Sequence, residues 1–174
     1  MPFIEVFSPA GAVSAEQRER IVARLVPEVM DAEGGPDNEF ARSISWVLWH
    51  EPTLWSIGGK TAGGDEPPPY VVRVSVPAGA LNDAKRAEIV KRVTGVLAEA
   101  DDQPDRLYSV PLASFVLLNE VPEGNWGSVG SVFRFPEIAS YILTGSPGAM
   151  DERRVNEAFG LSDAAPPQPA SVTS

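Results

Sequence analysis

Two stretches of this chain are copies of one another. The run beginning at Pro9, PAGAVSAEQRERIVARLVPEVMDAE, aligns without gaps on the run beginning at Pro77, PAGALNDAKRAEIVKRVTGVLAEAD, 68 residues later. Pro9, Ala10, Gly11, Ala12, Arg18, Ile21, Val22, Arg24 and Ala32 are identical in both. A repeat of this kind marks each copy as one supersecondary unit, so whatever the first folds into the second must fold into as well. A short strand-like run precedes each PAGA, Phe3 to Phe7 in the first copy and Tyr70 to Val76 in the second. A helix follows. Ser14 and Gln17 have the spacing of a capping box, and Ile21, Val22, Leu25, Val26 and Val29 recur at helical intervals. Ile89, Val90, Val93, Val96 and Leu97 repeat that apolar face. Pro27 inside the first helix removes a backbone donor and is expected to bend it, and Gly34 and Gly35 supply the stop. Return strands are expected over Ser43 to Trp49 and Ser114 to Leu118.

Each unit therefore reads β-α-β. A strand, a crossover helix and a return strand imply a parallel pair with a right-handed connection. Two such units joined edge to edge give an α/β (α+β) fold, a four-stranded mixed sheet with both helices on one face. By the 68-residue offset Glu5 corresponds to Arg73, so a pairing across a pseudo-twofold between the central strands is one reading of Arg73, and it does not exclude a pocket role. The face without helices carries large Phe and Trp side chains, and another copy of the chain is the simplest cover for it. The glycines and prolines of Gly58 to Pro69 mark the linker. Residues 1–145 are expected to form one domain, with units at 1–64 and 65–145. Residues 146–174 form an extension with a short helix around Asp151 to Phe159, then AAPPQPASVTS, compositionally a disordered tail.

Composition excludes several classes of chemistry. The chain has no cysteine, so it has no thiolate nucleophile, disulfide or cysteine metal site. The single histidine, His50, rules out a polyhistidine metal centre and reads as a hydrogen-bonded strand terminus. A net charge of −10 repels a phosphate backbone, so nucleic acid is not an expected partner. No apolar run is long enough to span a bilayer and no signal-peptide layout is present, so a cytoplasmic protein with no membrane partner is expected.

The start Met1-Pro2 leading straight into a strand, on a doubled β-α-β chain, resembles the tautomerase superfamily, typified by 4-oxalocrotonate tautomerase. The segment Asn119-Glu120-Val121-Pro122-Glu123-Gly124-Asn125-Trp126-Gly127-Ser128-Val129-Gly130 resembles that family's strand end and hairpin. The tandem arrangement is similar to the branches of macrophage migration inhibitory factor, malonate semialdehyde decarboxylase and cis-3-chloroacrylic acid dehalogenase. The resemblance covers roughly residues 2 to 133. It implies a cofactor-independent homotrimer acting on a small anionic keto/enol acid, with Pro2 as the catalytic group once Met1 is removed.

The chemistry requires that position. An internal proline nitrogen is an amide without basicity, whereas an N-terminal proline is a secondary amine. An α-amino group ordinarily has a pKa of about 7.7 to 8, and burial lowers it. The neutral amine can then move a proton between carbon and oxygen by general acid–base catalysis. The resemblance assigns Glu120 to the carboxylate that activates water in the dehalogenase branch, and Asn125 and Trp126 to the pocket wall. The family's arginine positions hold Ala10 to Val13, Trp46 or Phe115, and Ala78 to Leu81 instead. Arg73, Arg42 and Arg134 are the substitutes available for substrate binding, with Arg73 ranked first because it lies within a strand. Three functions are compatible with this reading: a tautomerase with Pro2 as base; a hydratase, dehalogenase or decarboxylase of a three-carbon acid with protonated Pro2 as acid and Glu120 activating water; and a non-catalytic trimeric binding protein.

Overall fold

The computed structural model describes residues 2–61, 68–109 and 114–161. The elements run β1 (Phe3–Phe7), α1 (Ala15–Glu33), α2 (Glu39–Ser43), β2 (Trp46–His50), β3 (Ser56–Ile57), β4 (Lys60–Thr61), β5 (Tyr70–Pro77) and α3 (Asp83–Ala100). They continue as α4 (Arg106–Ser109), β6 (Ser114–Val121), β7 (Trp126–Ser128), β8 (Ser131–Phe133), α5 (Phe135–Thr144) and α6 (Glu152–Ala158).

The four-stranded mixed sheet is present, in the order β2-β1-β5-β6. Strands β1 and β2 are parallel, as are β5 and β6, while β1 and β5 meet antiparallel. In that central pair Phe3 faces Ser75, Glu5 faces Arg73 and Phe7 faces Val71. The 68-residue offset exchanges these positions, so the pseudo-twofold passes between Glu5 and Arg73. The two side chains pair as the repeat implies, Arg73 Nη1 donating to Glu5 Oε2 at 3.0 Å.

Strand parity sends Ile4, Val6, Val72, Val74 and Val76 to the helix side, where they are fully buried with Ile21, Leu25 and Val29 of α1 and Ile89, Val93 and Leu97 of α3. Each such side chain contributes about 1.5–3 kcal/mol of transfer free energy. Ser14 and Gln17 form the capping box at the head of α1, and Asn82 caps α3 through the Lys85 N–H. Helix α1 runs through Pro27 and stops at Gly34, whose φ of 78° is the left-handed conformation a helix end requires. Arg24 pairs with Glu28 and Glu99, and Arg92 with Glu28, Glu88 and Asp31, lacing the two helices together. The pairs Arg24–Glu99 and Arg92–Asp31 are counterparts under the offset.

The structure differs from the sequence reading at the unit ends. Ser43 closes α2 and the return strand begins at Trp46, because Asn38 caps a helical turn through the Ala41 N–H. Strand β6 continues to Val121, and the expected linker begins at the turn of the short β3–β4 pair, with β4 inside it. Helix α5 has no counterpart in the sequence reading. Its Pro136 sits in the first turn, where the missing N–H costs nothing, and Gly145 closes it with φ 77°. The expected short helix is α6, and its Val155 and the adjoining Phe159 enter the same core, which therefore continues past residue 145. The compositionally disordered tail falls outside the described residues. No helix among the described residues is long and apolar enough to cross a membrane.

Candidate functional site

Pro2 is buried at the head of β1, and its carbonyl accepts the Trp46 N–H at 3.2 Å. The next residue, Phe3, stands on the opposite side of the sheet, paired in register with Trp46. Those two side chains begin a groove of about 560 Å³ at the end of the sheet where β1 starts. Trp126 and Phe133 of the β7–β8 hairpin form a second wall, and Ile138 and Tyr141 of α5 a third. The hairpin turns through Val129 and Gly130, both at positive φ (45° and 80°), the requirement of a tight two-residue turn. Among the described lining residues Glu137 carries the single formal charge, and its Oε2 accepts the Arg134 N–H at 2.8 Å. The volume falls in the range of small-molecule sites, and the aromatic lining suits an apolar ligand body.

Of the residues singled out from sequence, Trp126 lines this groove. Asn125 is exposed in the turn before it, with its N–H donated to the Pro122 carbonyl at 3.0 Å. Glu120 lies on β6, two strands from Pro2 in nearly the same row of the sheet, a separation of roughly 10 Å. Its Oε1 accepts from both Nε and Nη2 of Arg86, at 3.0 and 2.5 Å. Arg73 stands on the helix-free face, held by Glu5 and lying 5.8 Å over the Phe7 ring. Arg42 is 62% exposed and bound to Asp37 through two 2.6 Å hydrogen bonds, and it is not among the described lining residues of the groove. That contact also holds the Asp37 carboxyl below its ordinary pKa. Arg134 is exposed at the head of α5. His50 stacks on Phe7 with ring centres 4.4 Å apart, and its Nε2 is 3.5 Å from Glu5. The structure therefore gathers Pro2, Phe3, Trp46 and Trp126 at one end of the sheet and leaves Arg73 and Arg42 elsewhere.

Glu137 and Tyr141 were not anticipated as site residues. Their signal is the amphipathic run from Phe135 to Thr144, which was not read as a helix. Tyr70, the counterpart of Pro2 in the second unit, is also buried, and burial reinforced by Asp101 pushes its phenol up to about 12. Lys85 is shifted the other way: burial lowers its ammonium, opposed by Glu33.

The described residues thus form a doubled β-α-β chain with an aromatic groove beside the buried Pro2. The family model described as Tautomerase enzyme matches residues 69–135. A fused 4-OT, wild type and solved as an asymmetric trimer, superposes with a TM-score of 0.56 at 23% identity, over 75% of this chain and 94% of its own. A member of the cis-3-chloroacrylic acid dehalogenase family gives 0.60 at 17% identity over 91% of this chain and 99% of its own. The macrophage migration inhibitory factor-like protein of Entamoeba histolytica gives 0.55 at 15% identity, over 76% and 98%. No curated protein matches the chain. The second unit, residues 69–135, thus matches the tautomerase family model, and the chain shares the fold of these solved proteins.

Proposed function

We propose that the chain is a cofactor-independent tautomerase in which Pro2, exposed as a secondary amine by removal of Met1, is the general base. The observation that carries this reading is the burial of Pro2 beside a groove whose walls are aromatic. An amine desolvated there favours its neutral form, which accepts a proton from the carbon next to a carbonyl and returns it to the enol oxygen or to another carbon. The substrate is a small keto/enol acid whose apolar body lies against Trp46, Trp126 and Tyr141. No arginine is among the described lining residues, so the groove recognises the body more than the carboxylate.

Trimer formation belongs to this reading. Trp46, Leu48, Phe115 and Leu117 leave an exposed apolar face on the sheet, Trp46 at 59%. Isolated soluble domains seldom present such a patch. Sedimentation of the purified protein tests the assembly.

The decisive test begins with intact mass, to establish loss of Met1. Turnover of phenylenolpyruvate by wild type and Pro2→Ala is then compared across pH. Base catalysis requires the neutral amine, so kcat/KM falls as pH drops through the amine pKa. Loss of activity as pH rises through it would instead identify protonated Pro2 as an acid. Equal rates in wild type and Pro2→Ala would remove Pro2 from the mechanism.

A further inference from the structure

The pseudo-twofold relates Pro2 to Tyr70 and Glu33 to Asp101, each 68 positions apart. In the second unit Asp101 lies close enough to Tyr70 to act on its phenol. The pseudo-twofold carries that relation over to Glu33 and Pro2 in the first unit. Contacts in the first unit lead to the same place by another route. Near the end of α1, Met30 Sδ receives the Ser45 hydroxyl at 3.7 Å, and the following residue, Trp46, donates its N–H to Pro2. On the other side Glu33 borders a small cavity with Pro77, Ala80 and Ile138. Val76, next to Pro77, lies one step beyond the Phe3–Ser75 pair and so opposite Pro2. The last turn of α1 thus reaches the neighbours of Pro2 on both flanks, Ser45 before Trp46 and Pro77 after Val76, and Glu33 is only 3% exposed there.

A buried carboxylate is stable only with partners. Lys85 is one charge that faces it, with its ammonium also donating to the Phe159 carbonyl at 3.0 Å. Among the described residues, the Arg86–Glu120 pair of α3 and β6 lies two strands away in the same row of the sheet, and Glu137 and Tyr141 of α5 stand on the groove side.

We infer that Glu33 is a positioning residue for the N-terminal amine, its carboxylate accepting a hydrogen bond from the Pro2 nitrogen after Met1 is removed. The proton count fits. A neutral secondary amine has one N–H and one lone pair. With the N–H committed to Glu33, the lone pair is aimed at the groove, where it takes the substrate proton. The resulting ammonium has two N–H bonds, one still on Glu33 and one available to return to the substrate. The carboxylate also favours the protonated amine and so offsets part of the effect of burial. This inference rests on the reading of Pro2 as the base.

The test uses mature protein, with loss of Met1 verified by mass, and the variants Glu33→Gln and Glu33→Asp. Two readouts are taken across pH: kcat/KM, and the rate at which acetic anhydride acylates the N-terminal amine, localised by peptide mass. In Glu33→Gln the acidic limb of the rate profile and the acylation midpoint both move down by about one pH unit, a tenfold change in neutral fraction on the limb. Glu33→Asp, with its charge retained but retracted, falls between the two. Melting curves establish that each variant is folded, and should Glu33→Gln fail to fold, the displacement in Glu33→Asp carries the test alone. Limbs and midpoints that stay in place in a folded variant overturn the inference. Wild-type turnover in Pro2→Ala would defeat the base reading instead, and the acylation midpoint would still report on Glu33.

Discussion

The two β-α-β units share their scaffold and differ at the site. Ser14 and Asn82 cap the two long helices at equivalent positions. Arg24–Glu99 and Arg92–Asp31 tie those helices together as counterparts. Arg18 holds Glu51 at 2.8 Å as Arg86 holds Glu120, both carboxylates just beyond or at the end of a return strand. Against this background Pro2 has Tyr70 as its counterpart, and Phe3 has Val71. The hairpin β7–β8 and helix α5 follow only the second unit, yet they wrap back onto the edge of the first to wall the groove over Phe3 and Trp46. What recurs in both units holds the sheet and helices together, and what is unique to one end makes the cavity. On that criterion Glu120 stands with the scaffold.

The largest test of this division is Pro2→Ala, expected to lower kcat/KM by about 10²–10⁴-fold, the usual span for a general acid–base group. Its counterpart gives a stability readout. Tyr70 keeps its proton to about pH 12 in the folded chain and to about 10 when unfolded. Its contribution is fully present below pH 10 and is lost as pH rises towards 12, about 2.7 kcal/mol in all. Tyr70→Phe should flatten that decline in urea unfolding measured across the window, and an unchanged slope would show that the Tyr70 phenol is not held neutral by the fold. Gly145→Ala acts on the unique part. It imposes a left-handed conformation on a residue with Cβ, at a cost of about 1–2 kcal/mol, and brings that Cβ within 2.7 Å of the Phe40 ring. Thermal unfolding measures the loss, and ligand titration read by tryptophan fluorescence should show a disturbed groove.

Ser14→Ala and Asn82→Ala should each cost about 1 kcal/mol, nearly equally, because each removes one equivalent cap. The smallest effects are expected for Glu51→Gln and Glu120→Gln, at or below about 1 kcal/mol each for partly exposed ion pairs. A loss of turnover in Glu120→Gln well beyond its effect on stability would return Glu120 to the site.

The legible part of the site was local. Pro2 and Trp126 could be singled out because one follows Met1 and leads straight into a strand and the other sits in a compact hairpin motif. Glu33 could not, since in sequence it is one acidic residue in the last turn of an amphipathic helix. Its burial follows from where that turn lands against the end of β5 and against α5. Arg73 reads from sequence both as the first substitute for substrate binding and as a partner of Glu5; the structure shows the pairing, which the repeat offset specifies by fixing which residues meet at the twofold. Arg42 and Arg134 could be ranked only by charge, and their exposure depends on packing that a linear pattern does not contain.

By itself the sequence determined the doubled unit, the parity of the strands and the register across the central pair. Those follow from periodicities of two and 3.6 residues and from one constant offset, all carried by near neighbours in the chain. Only the tertiary structure decided the groove. Phe3, Trp46, Trp126 and Tyr141 lie far apart along the chain, and they converge because the hairpin and α5 fold back past the second unit to the edge of the first. Long-range packing of this kind depends on how whole elements seat against one another.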